Sequence, residues 1–321
     1  MKRILRALFR LGLAAGTALA IWLLAVWPPP VWYRSHWPSQ TAFMWMRGDG
    51  SPAPQLSAKS ARGRRQPTDR SRDANRPAGR LYEPVPMDSI SPFLASAVQI
   101  GEDNAFPTHG GIDWRSLRHA IGYPRDRFSW FDARDRQALL EALPRAWERR
   151  DALRGASTIT QQLAKNLYLS PTRNPLRKMK EAVTAYRLES ALGKDRILEL
   201  YLNVVELGDG VWGAEAASRL YFRRDAGDLS IDQAAALAGT LPFPLRSNPA
   251  YRSGRMRWRQ NLILRRMQGE AVEVPPDVTE DAVQAPPPAA DSLAVPEPAP
   301  DSATPDSSAI DTTPPSFDSL Q

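Results

Sequence analysis

Residues 155–166 read Gly-Ala-Ser-Thr-Ile-Thr-Gln-Gln-Leu-Ala-Lys-Asn, a turn of small residues that leads into a helix. Thr158 and Gln161 have the spacing of a capping box, so we expect the helix to begin after Thr158. It should continue through Leu169, and Pro171 should end it. A buried helix face avoids so many amides and hydroxyls, because each buried polar group needs a partner. The stretch therefore predicts a polar site at a helix N-terminus, the simpler alternative being an ordinary capped helix with a polar face.

This predicted helix start carries the groups of an anion-binding site. A helix N-terminus presents free N–H groups, and the hydroxyls of Ser157, Thr158 and Thr160 add further donors. Gln161 and Lys165 lie four residues apart and share one helix face, so the ammonium group can reach the same place.

Helical periodicity dominates the rest of the folded sequence, so the fold class is mainly α. A helix is predicted from Pro92 to Asp103, with proline at its first position. Apolar residues at 176, 179, 183 and 186 form a stripe on a later helix, and Glu181 faces away from that stripe. No strand pattern of comparable strength occurs. Further helices are predicted over residues 195–207, 214–221, 230–241 and 253–267.

The composition narrows the possible chemistry. The 321 residues include no cysteine and three histidines, so disulfides and thiolate sites are excluded and a multi-histidine metal cluster is disfavoured. Acid–base catalysis would depend mainly on carboxylates. Residues 271–321 hold ten of the 35 acidic residues and none of the 42 basic ones, so residues 1–270 carry a net charge of +17. Such a body favours an anionic partner (nucleic acid, a membrane surface or a phosphate-bearing substrate), although an arginine-rich genome would give the same charge.

The N-terminal sequence indicates which of these anionic partners is expected. Basic residues precede an uncharged run at 11–27, which is close to the shortest length that spans a bilayer. A cleaved signal peptide is the alternative, but the apolar run continues past the cleavage-like residues 18–20. We therefore expect an uncleaved transmembrane anchor at 11–30, with residues 1–10 in the cytoplasm and the remainder outside. This topology argues against nucleic acid.

Three segments differ from the predicted helical body at residues 81–268. Residues 31–80 are predicted to be a juxtamembrane linker, partly disordered because its later part is rich in Gly, Pro, Ser and Arg. Residues 115–154 hold many Arg and Asp and are predicted to form a mobile sub-lobe that exposes Phe128, Trp130 and Phe131. Residues 269–321 are rich in proline and acids and are predicted to be a disordered tail.

Two carboxylate motifs flank the opening stretch. Upstream, an apolar helix ends in Glu102-Asp103, where partial desolvation suits a carboxylate to acid–base catalysis. The alternative there is a solvated helix end with Asp103 as a cap. Downstream, Glu181 follows Arg177 by four residues, a spacing that by itself predicts only an ordinary ion pair.

In this order the motifs resemble those of the glycosyltransferase family 51 peptidoglycan polymerases, with details around residues 201–211 and 241–244 closest to the monofunctional biosynthetic transglycosylases. The resemblance covers residues 81–268. Residues 194–203 and 213–222 resemble the fourth and fifth motifs, whereas Gly101 and Ala156 depart from the residues that the family more often has. The first three motifs are Glu102-Asp103-x-x-Phe106-x-x-His109-x-Gly111, Gly155-x-Ser157-Thr158-Ile159-Thr160-Gln161-Gln162-x-x-Lys165-Asn166 and Arg177-Lys178-x-x-Glu181.

The resemblance implies a lysozyme-like, mainly helical domain of two lobes behind a transmembrane helix. It implies an enzyme that polymerises lipid II into glycan strands and releases undecaprenyl diphosphate, anchored in the bacterial inner membrane with its catalytic domain in the periplasm. The implied partners are lipid II, the nascent glycan strand and the inner membrane, with cell-division or elongation proteins as candidates.

The resemblance also implies roles for individual residues. Glu102 would be the general base, and Glu181 would orient cations or bind a divalent ion, Mg²⁺ or Mn²⁺, that bridges the phosphates. No organic cofactor is implied. Lysine and arginine side chains would hold the diphosphate, whereas Asp103, Phe106 and His109 would shape the motif in which they lie. The expected substrate-binding set is Asp103, Phe106, His109, Ser157, Thr158, Gln161, Gln162, Lys165, Asn166, Arg173, Arg177 and Lys180.

Two other functions stay open from the sequence. A lysozyme-like hydrolase would also use a glutamate on a helical fold, but it needs no cations for a diphosphate. A non-catalytic membrane scaffold would have no reason to keep Glu102 and Glu181 in these contexts.

Overall fold

The computed structural model describes residues 2–47, 79–125, 127–129, 131–148, 157–170 and 174–272. The described residues belong to one compact unit that extends to Val278. Several predictions lie outside them, namely most of the linker, nearly all of the acidic tail, the site residue Arg173, the motif residues Gly155 and Ala156, and Trp130.

The described chain is mainly helical, as predicted. Its α-helices are α1 (Lys2–Leu24), α2 (Ala42–Met46), α3 (Pro92–Glu102), α4 (Trp114–Ile121), α5 (Ala133–Glu148), α6 (Ile159–Tyr168), α7 (Pro175–Ala191), α8 (Lys194–Val204), α9 (Ala214–Phe222), α10 (Ile231–Thr240) and α11 (Gly254–Met267).

Within the described residues, α1 is the one helix that is long and apolar enough to cross a membrane. At about 1.5 Å per residue it is about 35 Å long, slightly more than the hydrocarbon core of a bilayer. It begins and ends earlier than the predicted run at 11–27. Its C-terminal end contacts α7, where the Arg187 guanidinium donates to the carbonyl oxygen of Leu24.

The segment that follows α1 is part of the folded body. Tyr33 and Met44 are buried in the same hydrophobic core as α6 and α8. Helix α2 is capped by Thr41, whose hydroxyl accepts from the Met44 N–H, and it packs against α6. The linker prediction is therefore wrong for residues 31–47, because this segment buries aromatic and methionine side chains.

A three-stranded sheet, which the sequence pattern does not predict, lies beside the helices. Its order is β1 (Leu81–Tyr82), β3 (Val211–Trp212), β2 (Glu206–Gly208). Strand β1 is parallel to β3 and β2 is antiparallel to it. Strands of two or three residues are too short to show an alternating pattern, which is why periodicity misses them.

The helix packing brings the ends of α3 and α6 to one place. Helix α10 packs against α3 and α11, while α6 packs against α7 and α8. The predicted capping box is present, with Thr158 and Gln161 each bonding the backbone of the other. Helix α6 therefore begins where the sequence predicts, and α3 ends at Glu102.

The apolar stripe on α7 lies on the exposed side of that helix. Leu176, Met179 and Tyr186 are 49%, 48% and 65% exposed. The buried residues of α7 are Glu181, Thr184, Ala185 and Leu188. Periodicity alone would place the apolar stripe in the core. In the structure the opposite face of α7, which carries Glu181, is the buried one.

The predicted sub-lobe contains α4 and α5, which pack against each other. Asp135 in the first turn of α5 is buried, and its carboxylate accepts from the Tyr123 hydroxyl at 2.9 Å and the Ser129 N–H at 2.8 Å. Phe131 is 97% exposed, whereas Phe128 packs edge-on against the Tyr123 ring. The mobility of this region stays a prediction.

Met44→Ala should lower the free energy of unfolding by about 2–5 kcal/mol, because a fully buried side chain is removed from the core. Urea or thermal unfolding of the detergent-solubilised protein measures the change. The matched control is Trp45→Ala, a neighbour that is 68% exposed, which should change stability by about 0.5 kcal/mol or less. Equal effects of the two substitutions would contradict the packing of residues 31–47 into the core.

Candidate active site

Glu102, the last residue of α3, is held by two other helices. Its side chain is 11% exposed. Arg259 of α11 donates from Nη2 to Oε1 at 3.0 Å, and Gln162 of α6 donates from Nε2 to Oε2 at 2.9 Å. A carboxylate oxygen has two lone-pair directions, so each oxygen retains acceptor capacity after these bonds. Glu102 is thus an oriented, largely desolvated carboxylate that can still accept a proton.

The neighbouring motif residues join α3 to α6. Oδ2 of Asp103 accepts from the Ile159 N–H at 2.9 Å, and both its oxygens lie 3.0 Å from Nε2 of His109. Phe106 is buried, with the Lys194 ammonium 4.4 Å from its ring centroid. The structure places Asp103, Phe106 and His109 in contacts that shape the site.

Three backbone donors at the start of α6 are used within the protein. The Ile159 N–H donates to Asp103. The Gln161 N–H donates to the Thr158 hydroxyl at 3.1 Å, and the Thr158 N–H donates to Oε1 of Gln161 at 3.2 Å. These three N–H groups are therefore not free for an anion.

Two of the three motif hydroxyls are also occupied. The Thr158 hydroxyl donates to the carbonyl oxygen of Gly111 at 2.7 Å, and the Thr160 hydroxyl donates to Oε1 of Glu189 at 2.6 Å. Ser157 differs, because its hydroxyl oxygen accepts from the Lys178 ammonium at 2.8 Å. Of these hydroxyls, Ser157 is the one that lies beside a cationic cluster.

That cluster, formed by Arg177, Lys178 and Glu181, lies at the N-terminal half of α7. The Glu181 side chain is 3% exposed, and Arg177 donates to its Oε2 at 2.8 Å. The Lys178 ammonium bonds its Oε1 and is 46% exposed. In the described part of the chain, the buried Nε of Arg177 has no hydrogen-bond partner. Glu181 therefore anchors two cations, one of which faces solvent.

Lys165 connects this cluster electrostatically to Glu102. Its half-buried side chain places Nζ 5.7 Å from the ring centroid of Phe43. Desolvation lowers the pKa of Lys165 below its ordinary value of 10.5; Lys178 and Arg177 act in the same direction, while Glu181 and Glu102 oppose the shift. Among the described residues the Lys165 ammonium makes no hydrogen bond or ion pair. It is therefore a cation without a direct anionic partner.

Lys180 lies away from this cluster. Its ammonium is 4.7 Å from the ring centroid of Trp22 on α1, and burial lowers its pKa. The structure thus does not bring Lys180 together with Glu181. Lys178, which is absent from the expected set, bonds Glu181 instead. Its three-residue spacing to Glu181 is the signal that could have identified it.

Two more expected residues have contacts inside the protein. Oε1 of Gln162 accepts from the Tyr201 hydroxyl at 2.9 Å, so its amide lies between Tyr201 and Glu102. Asn166 is buried on α6. Sequence reasoning missed Arg259, because it lies 157 residues from its partner Glu102 and nothing local marks it among the arginines of α11.

Glu181, where a divalent ion is expected, has a cationic side chain on each of its oxygens. In the residues that the structure describes, no group of three or more His, Cys, Asp or Glu side chains could hold a metal ion. Each Glu181 oxygen keeps a second lone pair, so a divalent ion that bridges the substrate phosphates stays a prediction.

The chain is similar to proteins of one known family. The family model described as Transglycosylase matches residues 125–268. A protein of Bordetella pertussis is 37% identical over 274 residues, which cover 85% of this chain and 95% of that protein. A protein of Citrobacter koseri is 41% identical over 182 residues, covering 57% of this chain and 66% of that protein. Both are named biosynthetic peptidoglycan transglycosylase. This chain therefore belongs to the biosynthetic peptidoglycan transglycosylases and is a peptidoglycan glycosyltransferase that polymerises glycan strands for cell wall synthesis.

Proposed function

We propose that Glu102 is the general base of glycan polymerisation and that Lys165, Arg177 and Lys178 bind the diphosphate of the lipid II donor. The observation that carries this proposal is the position of Lys165. Its ammonium has no direct partner in the described residues, yet it interacts electrostatically with both Glu102 and Glu181. A cation in that position connects the proton acceptor with the cationic cluster.

Glycan polymerisation needs a proton acceptor for the attacking hydroxyl and cations for the departing diphosphate. The acceptor sugar hydroxyl transfers its proton to Glu102 while its oxygen forms a bond to the anomeric carbon of the donor. The bond between that carbon and the diphosphate oxygen breaks, and the electron pair leaves with undecaprenyl diphosphate. Cations stabilise the negative charge that develops on the leaving oxygen, so no general acid is required there.

Glu181 has a supporting part in this proposal. It holds Arg177 and Lys178 through both of its oxygens, which orients the two cations without placing the carboxylate against the phosphates. The proposed steps use no divalent ion. Ser157, next to Lys178, is the motif hydroxyl best placed to contact the diphosphate.

We also propose a single-pass topology, with the N-terminus in the cytoplasm and the catalytic domain in the periplasm, anchored in the inner membrane. Helix α1 supports the anchor. Lys2, Arg3, Arg6 and Arg10 lie at its N-terminal end, and cytoplasmic flanks are enriched in such residues. A lipid-linked substrate also requires an enzyme at the membrane.

Glu102→Gln should reduce the polymerisation rate about 10²–10⁴-fold, because the amide cannot accept the proton. Gel analysis of glycan strands made from labelled lipid II measures the rate. The matched control is Glu270→Gln, an exposed glutamate that pairs with Arg265, and it should keep wild-type activity. A Glu102→Gln enzyme that polymerises at the wild-type rate would exclude Glu102 as the base.

Lys165→Met should lower kcat/KM about 10²–10³-fold, because it removes one cation from the transition state. The control Arg257→Met removes an exposed charge from α11 and should have little effect.

The pH profile gives a second readout for Lys165. Since desolvation lowers its pKa below 10.5, the ammonium loses its charge as the pH rises through that lowered value. The kcat/KM profile reports the free enzyme, so activity should fall on the alkaline side before an ordinary lysine would titrate. Lys165→Arg keeps the charge and should move this limb to higher pH. An unchanged alkaline limb in that variant would argue against the diphosphate role.

The proposed topology is testable by cysteine labelling, because the natural chain contains no cysteine. Gln268→Cys places a thiol at an exposed position after α11, and Lys2→Cys places one at the start of α1. A membrane-impermeant maleimide, added to cells with a permeabilised outer membrane, should label position 268 and not position 2. Labelling of position 2 alone would reverse the topology.

A further inference from the structure

A buried arginine of α11 forms a hydrogen bond to the Glu102 carboxylate. The Arg259 side chain is 3% exposed, and its Nη2 bonds both Oε1 of Glu102 and the carbonyl oxygen of Gly101. Helix α11 approaches α3 closely here, since a Cβ added to Gly101 would lie 3.0 Å from Cδ1 of Ile263. Arg259 is therefore too enclosed to bind a substrate, and its contacts are with the end of α3.

The other oxygen of Glu102 is held through two residues. A carboxylate only accepts hydrogen bonds, so Gln162 must present its NH₂ group to Glu102. Its Oε1 then faces the Tyr201 hydroxyl, which must donate. Tyr201 is completely buried, and desolvation raises its pKa well above the usual 10.0, so it keeps its proton. Tyr201 thus fixes the orientation of the Gln162 amide from α8.

We propose that Arg259 and Tyr201 are positioning residues for the general base, Arg259 holding Oε1 of Glu102 and Tyr201 holding Oε2 through Gln162. This inference rests on the proposed role of Glu102. Neither residue contacts substrate; together they restrict the carboxylate to one orientation. Orientation of a catalytic group to within about 1 Å can change a rate about 10²-fold.

Three variants test the inference in the full-length enzyme with lipid II as substrate. Arg259→Met should lower kcat about 10²-fold, with KM changed less than about threefold. Arg259→Lys keeps a charge and should restore part of kcat. Tyr201→Phe should lower kcat about 3- to 10-fold, the loss expected for one buried hydrogen bond.

Two matched control variants test whether a loss of activity reflects general damage to the fold. Arg257→Met removes an exposed arginine from the same helix. Tyr221→Phe removes a tyrosine hydroxyl that donates to the carbonyl oxygen of Leu207 at 2.8 Å. Both should keep wild-type kcat. If Arg259→Met does not fold, the inference is tested by Arg259→Lys and Tyr201→Phe. An unchanged kcat in both of these variants would overturn it.

A double-mutant comparison separates positioning from a merely structural effect. In the Glu102→Gln background, Arg259→Met should cause no further loss, because it acts through the missing carboxylate. A further loss of similar size would show a structural effect and overturn the inference. An active Glu102→Gln enzyme would instead refute the proposed function. An inactive Glu102→Gln enzyme, with Arg259→Met at wild-type kcat, would refute only the positioning role.

Discussion

The hydrogen bond from the Ile159 N–H to the Asp103 carboxylate joins the end of α3 to the beginning of α6. The rest of the site depends on this contact, because the adjacent Glu102 is thereby placed against Gln162. The contact also uses one of the backbone donors that make a helix N-terminus attractive to anions. That donor is therefore not available to a negatively charged substrate, and in the proposed function side chains recognise the diphosphate instead.

Side chains supply that recognition. Arg177 and Lys178 extend from α7 above a buried carboxylate, and Lys165 extends from α6 with no direct partner in the described residues. Keeping an ammonium partly desolvated and unpaired costs free energy in the free enzyme. In the proposed function, a diphosphate that pairs with Lys165 recovers that cost on binding.

The parts of the structure that depend on local sequence were predictable. The capping box at Thr158 and Gln161 and the proline that begins α3 are decided by neighbours within four residues. The same holds for the ion pair of Arg177 with Glu181. These features place the starts of α3 and α6 and pair Arg177 with Glu181.

The parts that depend on distant contacts were not predictable. The α7 face with the stronger apolar periodicity is exposed, because packing against α6 selects the face that carries Ala185 and Leu188. Residues 31–47 have no regular period, yet they fold because Met44 finds a place in the core. Arg259 reaches Glu102 only after α10 and α11 have packed on α3. One sequence without structure cannot reveal such pairings.

In the proposed topology, the contact between α1 and α7 sets how far the site lies from the membrane anchor. Arg187, which holds the last turn of α1 through the Leu24 carbonyl oxygen, lies nine and ten residues after Lys178 and Arg177 on the same helix. This separation corresponds to about 14–15 Å of helix rise. The proposed cations are therefore about three helical turns from the residue that contacts the anchor. A lipid-linked donor carries its diphosphate at the membrane surface, so the proposed site can act on it while the polyprenyl chain stays in the membrane.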